Sequence, residues 1–296
     1  MDFSKLKAKS GKASIEELTK KLQSTANEGS GKDDRYWVPT VDKAGNGYAV
    51  IRFLPPPGDE EENYVQLFSH AFQGPGGWYI ENSLTTLKQA DPVSEYNSKL
   101  WNSGIEANKE IARKQKRKLT YISNIYVVSD PSNPDNEGKV FLFKYGKKIF
   151  DKIKEAMIPQ FADEEAVNPF DLWNGANFKL KIRNLDGYRN YDKSEFDRPG
   201  PLFEDDEELE RIWKQEHSLA ELVAPNQFKS YEDLKKRLNK VLAEDDGYPI
   251  RAADQEITIE DETPAPRQKA SPPPSYASDD EDDDDSLEFF KDLANR

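Results

Sequence analysis

Asn177-Phe-Lys-Leu-Lys-Ile-Arg-Asn-Leu185 alternates apolar with basic residues. In an extended chain Phe178, Leu180 and Ile182 point one way and Lys179, Lys181 and Arg183 the other, which is the period of a strand with one buried face and one wet face. Working outward, residues 47–54 (GYAVIRFL) are rich in β-formers and stop at a proline run, and residues 120–128 (TYISNIYVV) read as a further strand. The Asp, Asn, Pro and Gly of residues 130–138 make a turn-rich loop leading to residues 139–145 (KVFLFKY), so this pair reads as a hairpin with a long connection. Gly74-Pro-Gly-Gly77 reads as another hairpin turn before Trp78-Tyr-Ile80. Residues 147–157 and 230–243 have helical spacing, the second opening on the cap signal Ser230-Tyr-Glu-Asp233. The expected class is mainly β with helices (α+β). An OB-type barrel with an added subdomain suits an extended polar ligand, although pattern alone does not separate a barrel from a sandwich.

The chain has 296 residues, 35% of them hydrophobic and 33% charged, enough apolar material for one substantial domain but not for a core throughout. Its net charge of -14 looks hostile to nucleic acid, but most of that charge is local. Residues 254–296 hold 14 acids and four bases, a net of -10, with a proline-rich stretch and few apolar residues before Leu287. Such a segment buries too little surface to offset its ordering entropy, so a disordered tail is expected. After Asp282, Asp283, Asp284 and Asp285, a short amphipathic helix carrying Leu287, Phe289, Phe290 and Leu293 is expected to dock a partner. The bland reading of the acidic run is a solubilising tail.

The first 21 residues have the opposite bias: six lysines against three acids. Ser14-Ile-Glu-Glu17 is a capping-box pattern for a mini-helix. The expected organisation is a basic arm over residues 1–30, a core over 31–253 and the acidic tail over 254–296.

Within the core, residues 109–118 (KEIARKQKRK) carry six bases, among them Arg113, Lys114, Lys116, Arg117 and Lys118, against one acid. They follow Trp101 and run into Tyr121. Residues 139–154 carry six lysines, Lys144 included, and one acid, while Tyr188 and Tyr191 flank Arg189. Cations neutralise phosphates and aromatic faces stack on unpaired bases, so basic runs interleaved with aromatics suit a single-strand binder. Taken singly, each run also reads as a solvated face. The rival reading is an acidic adaptor or nucleic-acid mimic that touches no DNA.

Catalysis finds no foothold. There is no cysteine, the two histidines (His70 and His217) lack metal or catalytic spacing, and no phosphate-binding glycine loop is present. No stretch reaches the roughly 18 apolar residues of a membrane span, and the N-terminus lacks a signal-peptide core. A soluble, intracellular, non-enzymatic protein is expected.

The chain resembles the single-stranded-DNA-binding (helix-destabilising) proteins of T-even-type bacteriophages. The resemblance rests on residues 42–55 (DKAGNGYAVIRFLP), 70–72 (HAF), 78–81 (WYIE), 116–118 (KRK), 130–131 (DP), 136–141 (NEGKVF), 146–153 (GKKIFDKI), 175–178 (GANF) and 190–192 (NYD), in the family's order. It implies an OB-containing core that coats single strands cooperatively in replication, recombination and repair in the cytoplasm of an infected host cell. It also implies repression of the protein's own messenger RNA. The arm, with Lys5, Lys7, Lys9, Ser10, Lys12 and Ser14, resembles the self-association segment, which implies arrays on DNA and a possible dimer when unbound. The tail resembles the segment that docks DNA polymerase, helicase loader and recombinase, and that competes with DNA for the basic groove. The resemblance assigns DNA contacts to the basic run and to Trp101, Tyr121, Tyr188 and Tyr191, while two aromatics of the pattern fall at Ile111 and Ile122, which should stack less well. The family's zinc site has one histidine and three cysteines. His70 matches the histidine, but the cysteine positions fall near Ser83, Asp91 and Ser94, so a lost zinc site is expected. Packing of Trp78, Tyr79 and Tyr96 is expected to hold that subdomain instead.

Overall fold

The computed structural model describes residues 33–161, 164–185 and 188–243. The mini-helix expected in the basic arm and the docking helix expected in the acidic tail lie outside the described residues. Residues 1–37 form one unit, whose described end is the short strand β1 (Tyr36–Trp37). Asp33 anchors the turn before it: its carbonyl accepts the Tyr36 N–H and its carboxylate grips Arg35.

The second unit begins at Val38 and holds the strands expected at residues 47–54, 120–128, 139–145 and 177–185 and the one expected after the turn at residues 74–77, together with further strands that periodicity did not single out. They are β2 (Gly47–Phe53), β3 (Val65–Gly74), β4 (Gly77–Asn82), β5 (Lys118–Ser129), β6 (Val140–Tyr145), β7 (Phe178–Leu185), β8 (Tyr188–Asn190) and β9 (Glu195–Phe196). Every pairing among them is antiparallel, along the path β6-β5-β2-β7-β8. The organiser is β5, whose 12 residues serve three partners. Lys118 to Ile122 pair with β3, Tyr121 to Tyr126 with β6, and Ile125 to Ser129 with β2, where a bulge falls between Val50 and Ile51. Its C-terminal half and β7 flank β2.

The alternation in β7 is realised. Phe178, Leu180 and Ile182 are buried, while Lys179, Lys181 and Arg183 stay partly exposed. Phe53 of β2 lies at the centre of an aromatic core, with ring centroids of Tyr145, Phe170 and Phe178 within 5.6–5.8 Å.

Five helices complete the described part: α1 (Pro92–Asn102), α2 (Glu106–Lys114), α3 (Lys147–Met157), α4 (Asp206–Trp213) and α5 (Tyr231–Leu242). The α3 span matches its periodicity, burying Ile149 and Ile153. At the head of α5 the Ser230 hydroxyl accepts the Asp233 N–H, as the cap signal requires. Three helices do not stand out from periodicity. In α2 the only buried residue is Ala112, so charge masks the turn of the helix. A readable cue did exist for α1: Asp91 caps it and Pro92 fills its first turn.

The β3–β4 hairpin, α1 and α5 share a separate apolar cluster of Phe72, Tyr79, Leu84, Val93, Leu234, Leu238 and Val241. Tyr79 stacks on Phe72 at 5.1 Å, and Tyr96 packs at the margin. Trp78 does not take the packing role expected of it: it is 51% exposed, because alternation along β4 turns it away from Tyr79.

Candidate nucleic-acid interface

Two basic and aromatic groups emerge. The first gathers at the foot of the β3–β4 hairpin. Helix α2 carries Arg113 and Lys114, the chain turns at Gln115, and Lys116, Arg117 and Lys118 lead into β5. The Arg113 guanidinium lies 5.4 Å from the Trp101 ring of α1, and that of Arg117 lies 4.1 Å from the Phe68 ring of β3. Aromatic faces therefore carry the guanidinium planes. Arg113 is also bonded to Glu106 and Glu110, holding it above its ordinary pKa.

The second group lies along β7, β8 and α3. Each cation of β7 meets an acid across the sheet edge: Lys179 pairs with Asp197 at 2.7 Å, Lys181 with Glu195 at 2.7 Å and Arg183 with Asp192 at 2.6 Å. Hydrogen bonds to these cations hold the Asp192 and Asp197 carboxyls below their ordinary range. Exposed pairs of this kind are weak and salt-screened, so a phosphate can exchange for the carboxylate. Tyr188 is 61% exposed at the start of β8. Tyr191 lines a cleft of about 250 Å³ with Lys148, Asp151, Lys152 and Glu155 of α3.

Other expected contacts sit differently. Tyr121 is 6% exposed and stacks on Phe150 at 4.0 Å, with Tyr145 also against it. A base could reach its face only by displacing those rings. Lys144 is exposed on β6, opposite Ile122 in register. Ile122 is fully buried and Ile111 is 41% exposed, so only the latter presents side chain to a ligand. Sequence reasoning passed over Tyr48, exposed on β2 and opposite Lys181, and Phe68 beneath Arg117. It also left Lys148 and Lys152 inside a charge run without a role. The alternation of residues 47–54 carried the signal for Tyr48, since Ala49 and Ile51 are buried.

The family model described as "gp32 DNA binding protein like" matches residues 45–242. The single-stranded DNA-binding protein of Enterobacteria phage T2 is 41% identical over 222 residues, covering 72% of this chain and 72% of that protein. Its counterpart from Enterobacteria phage T4 is 39% identical over 241 residues, covering 78% of each. This chain belongs to the gp32-like DNA-binding protein family.

The gp32-like region includes both basic and aromatic groups and the hairpin subdomain. Its expected zinc position can be tested on the residues present. His70, Ser83, Asp91 and Ser94 are all buried. The imidazole Nδ1, the Asp91 carboxylate and the Ser83 hydroxyl already have hydrogen-bond partners. His70 Nδ1 donates to the Gln115 carbonyl at 3.0 Å, and its Nε2 faces Asp91 Oδ1 at 3.4 Å. The Asp91 carboxylate accepts the N–H groups of Leu84, Val93 and Ser94. Burial works to raise its carboxyl, but the hydrogen bond and charge of His70, with those of the amides, outweigh burial and bring it to about 2. The Ser83 hydroxyl caps the 3-10 turn that follows. A lone histidine, a carboxylate spent on amides and two hydroxyls do not fit tetrahedral zinc, which takes thiolates and imidazoles in structural sites. Among the described residues no cluster of three His, Cys, Asp or Glu is disposed to hold a metal.

Proposed function

We propose that this protein binds single-stranded DNA, as its phage relatives are named for doing, and that it coats the strand. The observation that carries the reading is the match of the DNA-binding family model over residues 45–242, the region bearing both basic and aromatic groups. Phosphates run along Arg113 to Lys118 and along the β7 cations, where they exchange with Asp192, Glu195 and Asp197. Unpaired bases stack on Tyr188, Tyr191 and Trp101. Coating is cooperative through the basic arm, which binds the neighbouring copy. The acidic tail recruits polymerase, helicase loader and recombinase in the infected cell's cytoplasm. The protein also represses its own messenger RNA. The core is an OB barrel with an added subdomain that binds no structural zinc, and the chain has no catalytic role. Among the described residues no helix is long and apolar enough to cross a membrane.

The test is quenching of tryptophan fluorescence by oligo(dT) across a salt series, with duplex as control. Binding that weakens steeply with salt and prefers single strands is expected. Salt-insensitive or duplex-preferring binding would refute the reading. Stoichiometric zinc in chelator-washed protein would refute the zinc-free assignment.

A further inference from the structure

Two hydrogen bonds beside the position matching the family's zinc site converge on one backbone atom. The Gln115 carbonyl accepts from His70 Nδ1 at 3.0 Å and from Asn97 Nδ2 at 3.0 Å. His70 stands on β3, Asn97 stands on α1, and Gln115 caps the C-terminus of α2. All three residues are buried, at 1%, 0% and 7% exposure. Immediately beyond this carbonyl the chain turns out to Lys116 and Arg117, and Arg117 lies over Phe68, two residues before His70 on β3. The hairpin therefore holds the basic run at two adjacent points, a carbonyl and a guanidinium.

We propose that His70 and Asn97 are positioning residues for DNA binding: through the Gln115 carbonyl they set where Lys116 to Lys118 present their charge, a task done here by hydrogen bonds rather than a metal. The geometry divides the labour of the His70 ring. Its Nδ1 side orients the basic run. Its Nε2 side faces Asp91, which caps α1 and holds the turn at Leu84. The two halves can be separated chemically, because an asparagine amide nitrogen falls where His carries Nδ1 and a glutamine amide nitrogen falls near Nε2. His70→Asn keeps the donor to Gln115 and gives up Asp91. His70→Gln does the reverse.

The inference rests on the reading that Lys116 to Lys118 contact DNA, so the experiment includes a Lys116→Ala/Arg117→Ala variant of the full chain. All variants are titrated with oligo(dT) over a salt series and melted in parallel. The double variant should bind more weakly, with a slope of log K against log salt shallower by about 0.7 for each phosphate that is no longer neutralised. His70→Asn should bind within about twofold of the parent. His70→Gln and Asn97→Ala should bind about tenfold more weakly with a shallower slope, even where their melting temperatures are no lower than that of His70→Asn. Equal affinities for His70→Asn and His70→Gln, or affinities that follow melting temperature rather than the retained donor, would overturn the inference alone. An unchanged slope in the double variant would remove the interface reading and the inference with it.

Discussion

Glu216 carries both carboxylate oxygens into the fold without a hydrogen-bond partner among the described residues. Burial, and then the charge of Glu60, push its carboxyl up to about 9. Glu60 cannot relieve it, since its own oxygens accept from the Ser218 hydroxyl and the Leu219 and Ala220 amides. Between the ordinary 4.5 and about 9, Glu216 is protonated in the fold and ionised in the unfolded chain. The unfolded state then binds fewer protons, so stability is full below that window and falls as pH rises through it. Glu216→Gln should gain about 1–3 kcal/mol at pH 8 and close to nothing at pH 4, as read by urea unfolding at both values. A gain of the same size at both would contradict the assignment. The β7 cations pose the converse case, with charges exposed and paired. Replacing Asp192, Glu195 and Asp197 together by their amides should tighten oligo(dT) binding about threefold at low salt and leave it unchanged at high salt, because these carboxylates compete with phosphate only where salt does not screen them. Unaltered low-salt affinity would place β7 outside the interface.

At the scale of elements, the hairpin and α5 are fitted together by glycine. The Gly76 N–H donates to the Val241 carbonyl at 2.8 Å, and a Cβ on Gly76 would stand 1.9 Å from the Lys240 carbonyl oxygen. That clash is with backbone, so it cannot be relieved by a rotamer change. Gly76→Ala should separate the turn from the C-terminal end of α5 and cost about 2–4 kcal/mol, lowering the melting temperature. A melting temperature within a degree of the parent would mean that the turn has another seat. The turn at residues 74–77 is evident from composition, but the docking of Gly76 against Lys240 and Val241, more than 160 residues later at the end of a helix, is not. Strands β2, β5, β6 and β7 and helix α3 were legible because period and burial agree in them. Helix α2 was not, since its turns carry charge nearly all round and it is held by Arg113 on Trp101 and by the Gln115 cap, both contacts with other elements.

Across the whole molecule, charge is distributed so that the sum misleads. The net of -14 comes mostly from residues 254–296, which leave a nearly balanced remainder carrying its cations in runs. Deleting residues 254–296 should raise oligo(dT) affinity about three- to tenfold at low salt, with the gain vanishing as salt screens the tail. It should also abolish binding of replication proteins in pull-down. A deletion that lowers DNA affinity would make the tail part of the binding surface rather than its competitor. Local chemistry, which needs only neighbours in the chain, settled the strongly periodic strands, the Ser230 cap, the location of the charge and the absence of thiolate zinc ligands. Only the folded chain decided which aromatics are available. Tyr121 and Tyr188 are alike in sequence, yet β5 pairs on both sides and buries the first ring, whereas β8 ends the strand path and exposes the second. Burial depends on contacts between residues far apart in sequence. The meeting of His70, Asn97 and Gln115 is of the same kind, because no spacing along the chain encodes three elements converging on one carbonyl oxygen.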